Sequence, residues 1–222
     1  MIQTKVLLIL SAAMLVSASF FTACRKDNSN NEYPDLTIDT LTIHGILKYK
    51  QSGISGTQLV AWPFGAAIIK VKSGVMQELA SGTVNADGTF TLVLPGTISG
   101  SLLIALSSVQ ESQGGTIVIN PNTVRILSTI LFAVEYTDNG TSETLFPSLH
   151  TLNPDLSVDK TYFYTLYDAD GTFIGTGDGG NTYDWLFTKG WGLVESYITD
   201  SISGAFNSKT VAAAPTAAFW SN

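Results

Sequence analysis

The chain has 222 residues, carries 18 acidic against 11 basic side chains for a net charge of −7, and is 45% hydrophobic but only 13% charged. So many apolar and so few charged residues exclude a disordered chain. The acidic balance, with no basic run longer than Arg25-Lys26, argues against nucleic-acid binding, which needs a basic face.

The first elements concern export. Lys5 and the amino terminus give a short positive start, and Val6–Phe21 then runs without a charge. About 16 residues is short for a membrane span, which needs roughly 20, and suits the apolar core of a signal peptide. The run ends in Phe21-Thr22-Ala23-Cys24. This ending resembles the lipobox of bacterial lipoproteins, apart from Phe21, which stands where Leu is usual. The resemblance implies a signal peptide over residues 1–23 and lipid attachment at Cys24. There a diacylglycerol joins the thiol and the new amino terminus is acylated, palmitate being the expected chain. Cys24 is the only cysteine, so no intramolecular disulfide can form. A single acyl chain holds weakly, at about 0.8 kcal/mol per buried CH₂, whereas two or three anchor stably.

Residues 24–36 begin with the polar run Arg25-Lys26-Asp27-Asn28-Ser29-Asn30-Asn31 and are expected to form a flexible tether, since they bury too little apolar surface to order themselves. Arg25, not Asp, follows the cysteine, so the inner-membrane retention signal known in enterobacteria is absent, and the Asn-rich segment resembles lipoproteins of Bacteroidetes. That implies the outer membrane, facing the periplasm or the surface, with membrane contact through the Cys24 lipid.

From Asp35 onward the apolar pattern is mostly of period two, the mark of half-buried strands. Ala67, Ile69 and Val71 share a face; so do Phe90, Leu92 and Leu94, and so do Tyr183, Trp185 and Phe187. The run Val124–Tyr136 is long and β-branched, with a candidate bend at Ser128-Thr129. Turn dipeptides recur at Ser73-Gly74, Asp87-Gly88, Gly114-Gly115, Asn139-Gly140, Asp170-Gly171 and Asp178-Gly179, as hairpins require. No helix longer than two turns is expected beyond the signal. The pattern predicts an all-β chain, an immunoglobulin-like or transthyretin-like antiparallel β-sandwich. A soft boundary follows residue 150, because 13 of the 23 aromatic residues fall in 161–222. Residues 37–150 then form a sandwich module, and 151–222 an aromatic-rich β region that is either separate or a second sheet of the same domain.

The stretch Leu79–Pro95, with Gly82, Val84, Asp87-Gly88-Thr89-Phe90 and Leu94-Pro95, resembles the hairpin of carboxypeptidase-regulatory-like and transthyretin-like sandwiches. Thr182–Val194, containing Lys189-Gly190-Trp191, resembles a strand pair of bacterial secreted proteins. The resemblance implies fold and setting and supplies no catalytic residues.

Candidate chemistry is sparse. His44 and His150 have no neighbouring ligands at metal spacing, and Gly53-Ile54-Ser55-Gly56 lacks the spacing of a nucleophile elbow. Asp168-Ala169-Asp170-Gly171 begins like a calcium loop but reaches glycine too early, so a hairpin turn is the first expectation and a noncanonical Ca²⁺ site the alternative. Asp87, Asp138, Asp155 and Asp170 are explained by turns. Neither an enzyme nor a cofactor or metal is expected. The aromatics are the best recognition candidates. Trp185 should face inward; Trp191, between two glycines, and Trp62, in Trp62-Pro63-Phe64-Gly65, are expected near exposed turns. With Tyr197 they form the candidate ligand set. The leading expectation is a noncatalytic lipid-anchored envelope protein, structural or adhesive, with an envelope protein or glycan as partner. The alternative is a glycan- or peptide-binding accessory lipoprotein of an outer-membrane uptake system.

Overall fold

The computed structural model describes residues 33–53, 56–127, 130–216 and 218–221, and only the backbone at 52, 53, 56 and 57. The expected signal peptide and Cys24 lie outside the described residues. The chain opens with β1 (Leu36–Thr37), β2 (Leu41–Gly53), β3 (Gly56–Ala61), β4 (Ala67–Ser73), β5 (Glu78–Val84), β6 (Thr89–Leu94) and β7 (Thr97–Ile98). A 3-10 turn at Gly100–Leu102 leads to β8 (Leu103–Ala105), helix α1 (Leu106–Gln113), β9 (Val118–Asn120), β10 (Arg125–Leu127), β11 (Ile130–Asp138), β12 (Thr141–Leu145) and β13 (Ser148–Leu152). Then come β14 (Val158–Tyr167), β15 (Gly171–Thr176), β16 (Thr182–Phe187), β17 (Gly190–Ile198), β18 (Phe206–Val211) and β19 (Phe219–Ser221).

The chain is all-β, as its period-two pattern predicts. One sheet runs β2, β6, β5, β4, β11, β12, every pair antiparallel. The second runs β3, β2, β19, β13, β14, β17, β18, β16, β15, β9, with β10 and β8 attached beside the end of β14. Two of its pairings, β16 with β18 and β19 with β2, are parallel, a departure from the expected antiparallel sandwich.

Strand β2 belongs to both sheets. It pairs with β6 up to Ile46 and with β19 and β3 from Leu47 and Lys48 onward. Gly45 sits at the changeover, where a Cβ would collide with the rings of Phe90 and Trp220. The missing side chain lets two aromatics close over the bend, which is why glycine stands in a strand it would otherwise weaken.

The sheets enclose a first core containing Ile43, Leu47, Ile69, Val71, Phe90, Leu92, Phe132, Leu193 and Trp220. A second core lies on the other side of the second sheet, where Leu106 and Val109 of α1 meet Tyr167, Phe173, Tyr183, Trp185, Phe187 and Val194. Alternation along β14 and β17 feeds both. Tyr162, Tyr164 and Leu193 serve the first core, and Phe163, Tyr167 and Val194 serve the second. Residues 148–152 form a single strand pairing with β14 and β19, so the boundary expected at residue 150 falls inside β13.

Three local expectations need correction. The eight-residue α1 exceeds two turns and was hidden because only Leu106 and Val109 give it an apolar stripe, and Ala105 at its start makes no side-chain cap. Asp168-Ala169-Asp170 does not close a hairpin; β14 and β15 each pair with other strands. Tyr33–Leu36, read as the end of the tether, belong to the body. Tyr33 lies beneath the Arg125 guanidinium at 4.4 Å, Asp35 Oδ1 accepts from the Gly100 amide at 3.1 Å, and Leu36 is buried. Among the described residues no helix is long and apolar enough to cross a membrane.

Candidate functional site

The three aromatic residues singled out for recognition occupy separate neighbourhoods. Trp62, expected in an exposed turn, is only 4% exposed. The Pro63–Gly65 turn does form, but it folds the indole inward. Trp62 Nε1 donates to the Gly65 carbonyl at 2.7 Å, and the ring packs edge-on against Phe64 and Tyr136. The four rings of Tyr49, Trp62, Phe64 and Tyr136 thus bridge the two sheets, and Trp62 is a core residue. Tyr197 is half-buried on β17, with its hydroxyl accepting from Asn207 Nδ2 at 3.0 Å and Lys160 Nζ 5.6 Å from its ring. Trp185 and Trp220 are both buried; Trp185 Nε1 donates to Ser208 Oγ at 2.8 Å.

Trp191 is different. It is half-buried near the start of β17 opposite Leu166, and its Nε1 donates to the Pro95 carbonyl at 3.1 Å. Its flanking glycines have separate causes. Gly190 has φ +116°, and a Cβ on Gly192 would come within 3.0 Å of the Tyr167 ring. Trp191 packs against the first core and against a third cluster that holds Leu36, Leu103 and Leu166, and it also lines a shallow cleft of about 450 Å³ between the segment Thr37–Leu41 and the turn at Lys189–Trp191. Both walls are braced: the Lys189 amide donates to Asp170 Oδ1 at 2.7 Å, and the Ile38 amide to the Gly96 carbonyl at 2.9 Å. The side chains of Asp39, Thr37, Thr40 and Lys189 are exposed at this cleft. Sequence reasoning found Trp191 but missed the opposite wall, which lies some 150 residues away in the chain and carries no local signal.

The ionisable groups considered for chemistry are committed elsewhere. Asp168, a candidate calcium ligand, grips Arg125 twice, at 2.6 Å to Nε and 2.7 Å to the backbone amide. Asp170 holds the Lys189 amide. Asp87 and Asp155 each accept from the amide and hydroxyl two residues on, at Thr89 and Ser157. No cluster of three or more His, Cys, Asp or Glu with metal-binding geometry occurs among the described residues. His44 lies exposed on the sheet surface, 3.0 Å from Thr91 Oγ1.

A serine–histidine pair does form, between Ser221 Oγ and His150 Nε2 at 2.8 Å. Both residues are sealed, 1% and 3% exposed, so a substrate has no route to the hydroxyl. Burial, and secondarily the charge of Lys50, lowers the His150 pKa from 6.5 to about 4, which keeps the ring neutral at physiological pH.

One buried carboxylate escaped sequence reasoning altogether. Glu195 on β17 receives Lys160 Nζ at 3.1 Å and the Tyr162 hydroxyl at 3.1 Å, with Lys209 Nζ at 3.6 Å. Burial alone would raise its pKa, but the bonds from Lys160 and Tyr162 and the two ammonium charges outweigh it and hold the carboxyl below its usual value. Burial and the bond to Glu195 push the Tyr162 hydroxyl up to about 12. The cluster is satisfied and ties β14, β17 and β18 together.

Comparison of the chain with known protein families, with curated proteins and with solved structures finds no match.

Proposed function

We propose that the chain is an exported, lipid-anchored protein of the bacterial cell envelope, in the outer membrane, with a noncatalytic body that serves a structural or adhesive role. The observation that carries this reading is the uncharged run Val6–Phe21 ending in Thr22-Ala23-Cys24, followed by the polar run Arg25-Lys26-Asp27-Asn28-Ser29-Asn30-Asn31. The commitment of Asp168, Glu195 and the His150–Ser221 pair to internal contacts supports a body built for rigidity. The cleft at Trp191 favours a second reading within the same setting, that of an accessory protein capturing a ligand for an uptake system.

The test is metabolic labelling with a fatty-acid probe. The parent chain should incorporate the probe, and Cys24→Ala should remain unlabelled and unprocessed. Labelling of the Cys24→Ala chain at the parental level would overturn the anchoring.

A further inference from the structure

We infer that the cleft between Asp39 and Trp191 binds a short neutral oligosaccharide; the inference rests on reading that cleft as a ligand site. Its volume of about 450 Å³ lies within the ~300–1,000 Å³ typical of small-ligand sites. Its chemistry selects among ligand classes. An apolar ligand would use none of the exposed carboxylate of Asp39, ammonium of Lys189 and hydroxyls of Thr37 and Thr40. An anion would meet Asp39, and a cation would meet Lys189. An uncharged polyol uses all of these groups, because each hydroxyl both donates and accepts. The part of Trp191 left uncovered by the two cores it packs against adds an apolar surface that a pyranose ring can use.

The geometry suits binding without large rearrangement. The indole is fixed through its Nε1 to the Pro95 carbonyl, and the Lys189 turn is held by Asp170. A platform fixed before the ligand arrives loses little freedom on binding. The cleft is open and shallow, which fits an internal segment of a longer chain as well as a terminus.

The experiment is calorimetric titration of the full chain, held in a polyoxyethylene detergent so that no sugar headgroup competes. The probes are tetrasaccharides of the gluco-, manno-, galacto- and N-acetylglucosamine series, a sialylated trisaccharide and a tetrapeptide of alanine and serine. At least one neutral series should bind saturably and change tryptophan fluorescence. Trp191→Ala and Asp39→Ala should each weaken that binding at least tenfold, and Trp191→Phe should restore part of it. Asp39 is exposed, so Asp39→Ala should leave the melting midpoint unchanged, which separates lost recognition from lost folding. Absence of binding by every neutral series, or binding undiminished in both alanine variants, would overturn the inference. Preferential binding of the peptide or the sialylated probe, abolished by Trp191→Ala, would also overturn it while leaving the cleft a ligand site.

Discussion

Lowering the pH from 7 to 5 should destabilise the fold through His150. In the folded chain the ring is sealed against Ser221 and Phe219, and burial, with Lys50 adding to it, brings its pKa down from 6.5 to about 4. Between those values the unfolded chain binds a proton that the folded chain refuses, so stability falls as pH falls. At ~1.4 kcal/mol per tenfold change in proton affinity, the complete effect is about 3 kcal/mol, of which about 2 kcal/mol should be lost by pH 5. Glu195 acts in the same direction lower on the scale: its depressed pKa gives stability above the ordinary carboxylate range that disappears as it protonates. Urea unfolding followed by tryptophan fluorescence at pH 7, 6 and 5 measures the slope. His150→Gln keeps a polar partner for Ser221 but cannot titrate, so its stability should change by about 2 kcal/mol less over the same interval. Identical losses in parent and variant would refute the assignment, because every other titrating group is common to both.

Gly45→Ala should cost about 1–3 kcal/mol, the usual range for overpacking, because its Cβ has to displace Phe90 and Trp220; thermal unfolding measures it, and an unchanged midpoint would show that the bend can relax. Phe90→Ala should cost about 3–5 kcal/mol, whereas Thr91→Ala, exposed on the opposite face, should stay within about 0.5 kcal/mol; equal effects in chemical denaturation would contradict the register of β6. Leu193→Ala should cost about 2–5 kcal/mol and lower one shared transition. That transition should be seen alike through Trp220 in the first core and Trp185 in the second, and two separated transitions would show that the cores unfold independently.

Sequence reasoning succeeded where a local pattern dictates the outcome. Period two put Phe90, Leu92 and Leu94 on the buried face, and Asn139-Gly140 became a two-residue connection between paired Asp138 and Thr141. The bend expected at Ser128-Thr129 lies outside the described residues, and β10 and β11 on either side of it pair in different sheets. It failed where partners are distant. Arg125 and Asp168 are 43 residues apart, and Glu195 meets Lys160 across 35; nothing near either carboxylate announces its partner. Trp62 shows a subtler limit. Its proline and glycine correctly signal a turn, but a turn does not decide which way its indole points, and the Gly65 carbonyl decided that. Glycines around Trp191 suggested an uncovered ring, whereas Gly192 makes room for Tyr167 on the neighbouring strand.

The proposed anchor and the proposed cleft constrain each other. The wall formed by Thr37–Leu41 is the direct continuation of the segment that leads back to Cys24, and Tyr33 pins that segment to the body at Arg125. A fully extended chain advances at most ~3.3–3.6 Å per residue. The nine residue steps from Cys24 to Tyr33 therefore hold the entry point of the body within about 30 Å of the lipid. The cleft begins four residues beyond Tyr33, so on this reading one of its walls is built from the part of the body nearest in the chain to the anchor.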